Sequence, residues 1–102
     1  MRIEYNFLRA AKPTIVLDEC QEALQEAFDY ISLDSPKQAE MLLTQFTETR
    51  KMIQRMPRIG TAYEKGIRKI KLGKFRYNIY YKETKTAIEI LGIWHTSKGT
   101  KF

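Results

Sequence analysis

The chain has 102 residues and a net charge of +6, with 43% hydrophobic residues. That is enough for one folded domain over residues 1–102 with its own core, and too little for two. One cysteine, Cys20, excludes an intramolecular disulfide and a multi-cysteine zinc site, and it suits a reducing compartment. No apolar run approaches the about eighteen residues of a membrane span, and the acid-containing N-terminus makes a poor secretory signal. These features predict a cytoplasmic protein without a metal or cofactor.

The charge is unevenly placed. Residues 1–56 hold seven Lys/Arg and nine Asp/Glu, whereas residues 57–102 hold eleven and three. The first part is therefore net −2 and the second net +8, as expected for a one-sided binding surface.

In chain order, Ile3, Tyr5 and Phe7 alternate. This fits a short strand, an extra N-terminal arm, or a start upstream of the true one. Pro13 breaks any helix. Thr14–Leu17 is β-branched and apolar, a short buried strand by propensity. Asp18 is placed to cap a first helix over Glu19–Ser32, with Glu19 and Glu22 in its first turn. Cys20, Leu24, Ala27, Phe28 and Ile31 form that helix's apolar stripe. Cys20 on this stripe reads as a small buried hydrophobe, not a nucleophile.

Ser35, Pro36 and Gln38 spell a capping box with proline at the first helical position. A second helix is predicted from Pro36 to about Met56. Its stripe is Ala39, Leu42, Leu43, Phe46, Ile53 and Met56, with Met41, Met52 and Met56 as core filler. Two amphipathic helices with a short connection make an antiparallel hairpin. Pro57 and Gly60 then end the helix, and residues 61–65 read as a loop.

From Gly66 to Tyr81 the pattern predicts two strands joined at Gly73-Lys74. Period two puts Arg68, Ile70 and Leu72 on one face and Ile67, Lys69 and Lys71 on the other. On the next strand Phe75, Tyr77, Ile79 and Tyr81 oppose Arg76, Asn78, Tyr80 and Lys82. A turn follows at residues 83–85. A last strand runs from Thr86 to about His95, with Ile88, Ile90 and Trp94 on one face and Leu91, Ile93 and His95 on the other. Apolar residues on both faces predict a central strand covered on both sides. The whole is an α+β fold: an N-terminal strand, an αα-hairpin, and a three-stranded antiparallel meander, with the helices on one face of one sheet.

One sheet face is thus basic and phenol-bearing, which suits an anionic partner, with nucleic acid first in line. Strand lysines also serve solvation and edge protection, so both readings stand. Arg68, Lys74, Tyr80 and Lys98 are the candidate nucleic-acid contacts. His95, the only histidine, is the acid–base candidate, or else a satisfied histidine closing a strand.

Four segments in order carry a resemblance: F-D-Y-I-S-L-D-S-P-K-Q-A, M-P-R-I-G, I-R-K-I-K-L-G-K-F-R-Y-N-I-Y-Y and I-E-I-L-G-I-W-H-T-S-K. Together they resemble the RelE/ParE superfamily of type II toxin–antitoxin toxins, over Thr14 to about Lys98. The resemblance implies a cognate acidic antitoxin whose disordered tail folds on the toxin. It also implies one of two targets. RelE-like members cleave mRNA in the ribosome, and ParE-like members poison DNA gyrase. The hairpin and the M-P-R-I-G exit look ParE-like. K-I-K-L-G-K-F-R-Y is similar to the RelE pattern, which places catalytic cations at Lys69, Lys71 and Arg76. RNA cleavage by 2′-OH attack builds charge on the phosphorane, which fixed cations would stabilise while His95 moves a proton. RelE-like enzymes often carry a tyrosine near the C-terminus. Here the last aromatic is Phe102, which cannot donate a proton, and Tyr80 substitutes only if it reaches the same pocket. The sequence therefore predicts ribosome-dependent mRNA cleavage. Gyrase binding is the first alternative, and a non-toxic nucleic-acid-binding module the second.

Overall fold

The computed structural model describes residues 12–97. The alternation at Ile3, Tyr5 and Phe7, and the positions of Lys98 and Phe102, lie outside the described residues. The elements are β1 (Thr14–Val16), α1 (Asp18–Ser32), α2 (Pro36–Arg55), β2 (Thr61–Ala62), β3 (Ile67–Lys71), β4 (Tyr77–Glu83) and β5 (Ile88–His95). They form one five-stranded sheet in the order β1-β5-β4-β3-β2. β1 runs parallel to β5, and every other pairing is antiparallel. The helix hairpin packs on one face, giving the expected α+β layering.

The start of α1 differs from expectation. Leu17, not Asp18, precedes the helix, and no side chain caps it. Leu17 N–H still donates to the Ile90 carbonyl of the sheet (3.1 Å), while its own carbonyl accepts from Cys20 and Gln21 N–H (2.9 and 3.0 Å). The residue that closes the parallel ladder thus opens the helix, and Asp18 falls inside the first turn, where the dipole favours its charge. At the second boundary the cap is half of the expected capping box: Ser35 Oγ accepts from Gln38 N–H at 3.2 Å, with Pro36 at the first position, but Ser35 N–H donates to the Ile31 carbonyl (3.0 Å) and not to the Gln38 side chain.

The core joins Cys20 and Ala27 of α1 and Leu42, Phe46 and Ile53 of α2 to Leu72, Ile79, Tyr81, Ile88, Ile90 and Ile93. Several expected core positions lie elsewhere. Leu43 is exposed one step around α2 from Leu42, and Met56 is exposed just past the helix end. Met41 is exposed as well, so neither it nor Met56 fills the core. Ile15 is exposed because β1 is an edge strand covered on one face only. Thr61 and Ala62, expected in a loop, pair with Lys69 and Arg68 as the opposite edge.

The β3–β4 connection is longer than a two-residue turn and takes in residues 72–76. Leu72 N–H donates to the Tyr77 carbonyl, and Phe75 N–H to the Leu72 carbonyl (both 2.9 Å). Gly73 there has φ +54, and a Cβ would meet the Gln45 side chain of α2 at 2.6 Å. The positive φ is what calls for glycine here, since the end of the Gln45 side chain can swing aside.

β5 is an interior strand between β1 and β4, with β4 in the middle of the sheet, and its two faces are not as the alternation predicts. A bulge separates the Tyr80↔Gly92 pair from the Tyr81↔Ile90 pair, leaving Leu91 as the extra residue. The extra residue reverses parity along the strand. Ile88 and Ile90 share the helix-covered face with Ile93 and His95, while Trp94 lies on the other side with Gly92. The second face of β5 is thus less apolar than the sequence implies, and among the described residues no helix covers it.

Candidate nucleic-acid and partner interface

Directly paired residues share a face, so the register assigns each side chain. Arg68, Ile70, Tyr77, Ile79 and Tyr81 point to the helices, with Ile93 and His95. Lys69, Lys71, Asn78, Tyr80, Lys82 and Trp94 occupy the open face.

On the helix side the polar groups are tied into structure. The Tyr81 ring is fully buried. Its hydroxyl donates to the Pro57 carbonyl (2.8 Å) and accepts from Gly60 N–H (2.9 Å). Burial pushes the Tyr81 phenol above its ordinary range, against the Gly60 hydrogen bond and the Arg68 charge, which lower it. The Arg68 guanidinium donates to the Gly60 carbonyl at 2.8 Å. This candidate nucleic-acid contact thus anchors the M-P-R-I-G exit of α2. Tyr77 is also raised by burial, with Tyr30 adding a smaller push.

His95 packs edge-on against Tyr77, with centroids 5.3 Å apart. Its Nδ1 accepts the Ser97 backbone N–H at 3.2 Å and lies 2.7 Å from Ser97 Oγ. Accepting that amide assigns the proton of a neutral ring to Nε2. His95 and the lysine pair thus sit on opposite sides of the sheet. Arg76 and Lys74 are exposed in the β3–β4 connection, before β4 begins. The Arg76 carbonyl accepts Thr96 N–H at 2.8 Å. Of the four candidate catalytic residues, only Lys69 and Lys71 are brought to one surface by strand geometry.

The open face carries more than its lysines. Tyr80 is flanked by Tyr63 and Trp94, with centroids 5.8 and 5.5 Å away and rings near perpendicular. Lys69 Nζ stands 5.5 Å from the Tyr63 ring centroid, within reach of its π face. A Cβ on Gly92 would come 2.2 Å from Trp94 Cζ3, so the indole lies across that glycine. Tyr63 and Trp94 were not among the sequence candidates. Tyr63 falls in a stretch that reads as a loop, and the bulge hides the side on which Trp94 lies. Glycine within a strand pattern is the signal that marks such a site.

Two depressions of about 260 and 530 Å³ flank the α2 exit, sharing Pro57, Arg58 and Glu83. Neither is lined by Lys69, Lys71, Arg76 or His95. Burial pushes the Cys20 thiol up to about 12, which suits the inert role read from sequence.

Comparison with known families decides the relationship. The family model described as "ParE toxin of type II toxin-antitoxin system, parDE" matches residues 15–99. The chain belongs to the ParE toxin family. No curated protein matches it. Among solved structures, a chain of the "Chromosomal ParDE TA system from P. aeruginosa" superposes with a TM-score of 0.72 at 19% identity. The match covers 83% of this ParE-family chain and 96% of that one. At that identity the likeness speaks for the fold. No helix among the described residues is long and apolar enough to cross a membrane.

Proposed function

We propose that this protein is the growth-arresting toxin of a type II pair, neutralised by a protein antitoxin, and that it acts by binding DNA gyrase. Membership of the ParE family supports the toxin role. The observation that carries the mode of action is the separation of His95 from Lys69 and Lys71 by the thickness of the sheet. General acid–base catalysis needs the proton carrier within hydrogen-bond reach of the reacting group, directly or through one water. The acid–base candidate is therefore misplaced for a phosphate held on the lysine face. A mode of action by binding makes no such demand.

Ribosome-dependent mRNA cleavage is the second reading. The lysine pair favours it, being fixed cations spaced along one strand of an open face. Purified gyrase decides between the two. The gyrase reading expects wild-type protein to inhibit supercoiling, with message on translating ribosomes left uncut. Full supercoiling activity together with cleaved message would reverse the assignment. The antitoxin role is tested separately: co-expression of the neighbouring gene's product should relieve growth arrest.

A further inference from the structure

We propose that residues 1–11 dock as an arm into the apolar depression at the α2 exit. Two of its walls are apolar side chains left open to solvent: Met56 is 49% exposed and Ile59 is 39% exposed. With Pro57, Arg58 and Glu83 they line about 530 Å³. Exposed apolar groups gathered around one concavity mark a docking site, as singly scattered ones do not. The family match begins at residue 15, so it does not account for residues 1–11.

The anchor at Lys12 identifies the occupant. Its carbonyl accepts from the Gln54 side-chain amide at 2.7 Å. Its ammonium pairs with Glu83 at 2.9 Å and donates to the Thr84 carbonyl at 2.7 Å. Gln54 lies just before Met56 in sequence, and Glu83 is itself a wall of the depression. Glu83 is paired with Ile88, on the helix-covered side of the sheet. The chain that precedes Lys12 therefore starts beside the depression and on the same side of the sheet. Ile15, the other exposed apolar residue near this anchor, is paired with Glu89 and faces the open side.

Reach does not limit docking, because residues 1–11 extend to as much as about 36 Å. They carry Ile3, Tyr5, Phe7 and Leu8, whose large apolar side chains match the lining. A tether this short gives the arm an effective concentration on the order of millimolar at the site. A second copy of the chain, or a separate protein, has to displace it.

The test is limited trypsin digestion of the purified full-length chain, with cleavage after Arg9 followed by mass spectrometry. A free peptide of the same sequence sets the unprotected rate. When a segment opens and recloses quickly, its cleavage tracks the open population, so a docked arm should be cut at least about tenfold more slowly than the peptide. Ile59→Asp puts a charge into the depression and should restore the peptide's rate. Phe7→Ser alters only the arm and should also restore it, which covers the case of Ile59→Asp failing to fold. Ile15→Asp should leave the protection unchanged. Cleavage of the unaltered chain at the peptide's rate would overturn the proposal. Protection lost in Ile15→Asp but kept in Ile59→Asp would overturn it too, by laying the arm on the open side of β1. Protection that grows with protein concentration would give the depression to a second copy, and protection that needs the antitoxin would give it to that partner. Either result would overturn the arm as occupant. The inference does not rest on the gyrase reading, and the digestion contains no gyrase, so either proposal can fail alone.

Discussion

The two faces of β4 belong to the same seven residues and do opposite jobs. Tyr77, Ile79 and Tyr81 look towards the helices, and Asn78, Tyr80 and Lys82 look away. Tyr81 is fully buried, with its hydroxyl between Pro57 and Gly60, and so ties the helix exit to the sheet. Its neighbour Tyr80 faces the basic side but is also buried, at 3% exposure, between Tyr63 and Trp94, so this candidate nucleic-acid contact is not at the surface. The same contrast holds on β3. Arg68 bonds the Gly60 carbonyl on the helix side, while Lys69 leans over the Tyr63 ring on the open side. Residue type therefore does not separate the groups that hold this fold from those available to a partner. Parity along the strand separates the lysines from the helix-side anchors, although Tyr80 and Ile67 on the lysine side are buried as well.

Substitutions on the two faces should differ sharply in cost. The largest effect is expected at Phe46, which α2 buries in the core. Phe46→Ala should lose about 3–5 kcal/mol in denaturant unfolding, and a loss under about 1 kcal/mol would contradict the packing described. Tyr81→Phe comes next. It keeps the ring but leaves the Gly60 amide and the Pro57 carbonyl without their hydroxyl partner, at about 1–3 kcal/mol. Faster hydrogen exchange at Gly60 should accompany it, and unchanged exchange would show that the hydroxyl does not hold the loop.

The helix side should also show in alkali. Burial holds the Cys20 thiol up at about 12 in the folded chain, against 9.0 for a solvent-exposed thiol. Below pH 9 both states keep the proton and Cys20 adds no pH dependence. Between pH 9 and about 12 the unfolded chain loses the proton first, so stability falls by up to about 1.4 kcal/mol per pH unit. The raised phenols of Tyr77 and Tyr81 act in the same direction above pH 10. Cys20→Ala should flatten the first part of this fall, and an identical profile in that variant would remove Cys20 from the account. The smallest effect belongs to the open face. Lys69→Gln with Lys71→Gln should shift unfolding by no more than about 0.5 kcal/mol, since neither side chain belongs to the buried core. A loss of several kcal/mol there would erase the distinction between the faces.

Local chemistry determined much of this protein. The Ser35-Pro36 start of α2 follows from capping, and the α1 stripe through Cys20 and Ala27 follows from helical period. The split of β3 and β4 into apolar and basic sides follows from period two. The four ordered segments pointed to the RelE/ParE superfamily, and the family match over residues 15–99 agrees. What the sequence did not determine was every feature that depends on a partner strand. The bulge opposite Tyr80 and Tyr81 places Leu91 outside the alternation and sends Trp94 to the basic face and His95 to the helix face. No periodicity within β5 announces this, because the extra residue exists only relative to the register of β4. The same holds for Arg68, whose bond to Gly60 arises only once the α2 exit is folded against β3. Side-chain period is a local property that the chain carries in itself. Which face each residue finally occupies is set by strand pairing, and that was decided by the tertiary structure alone.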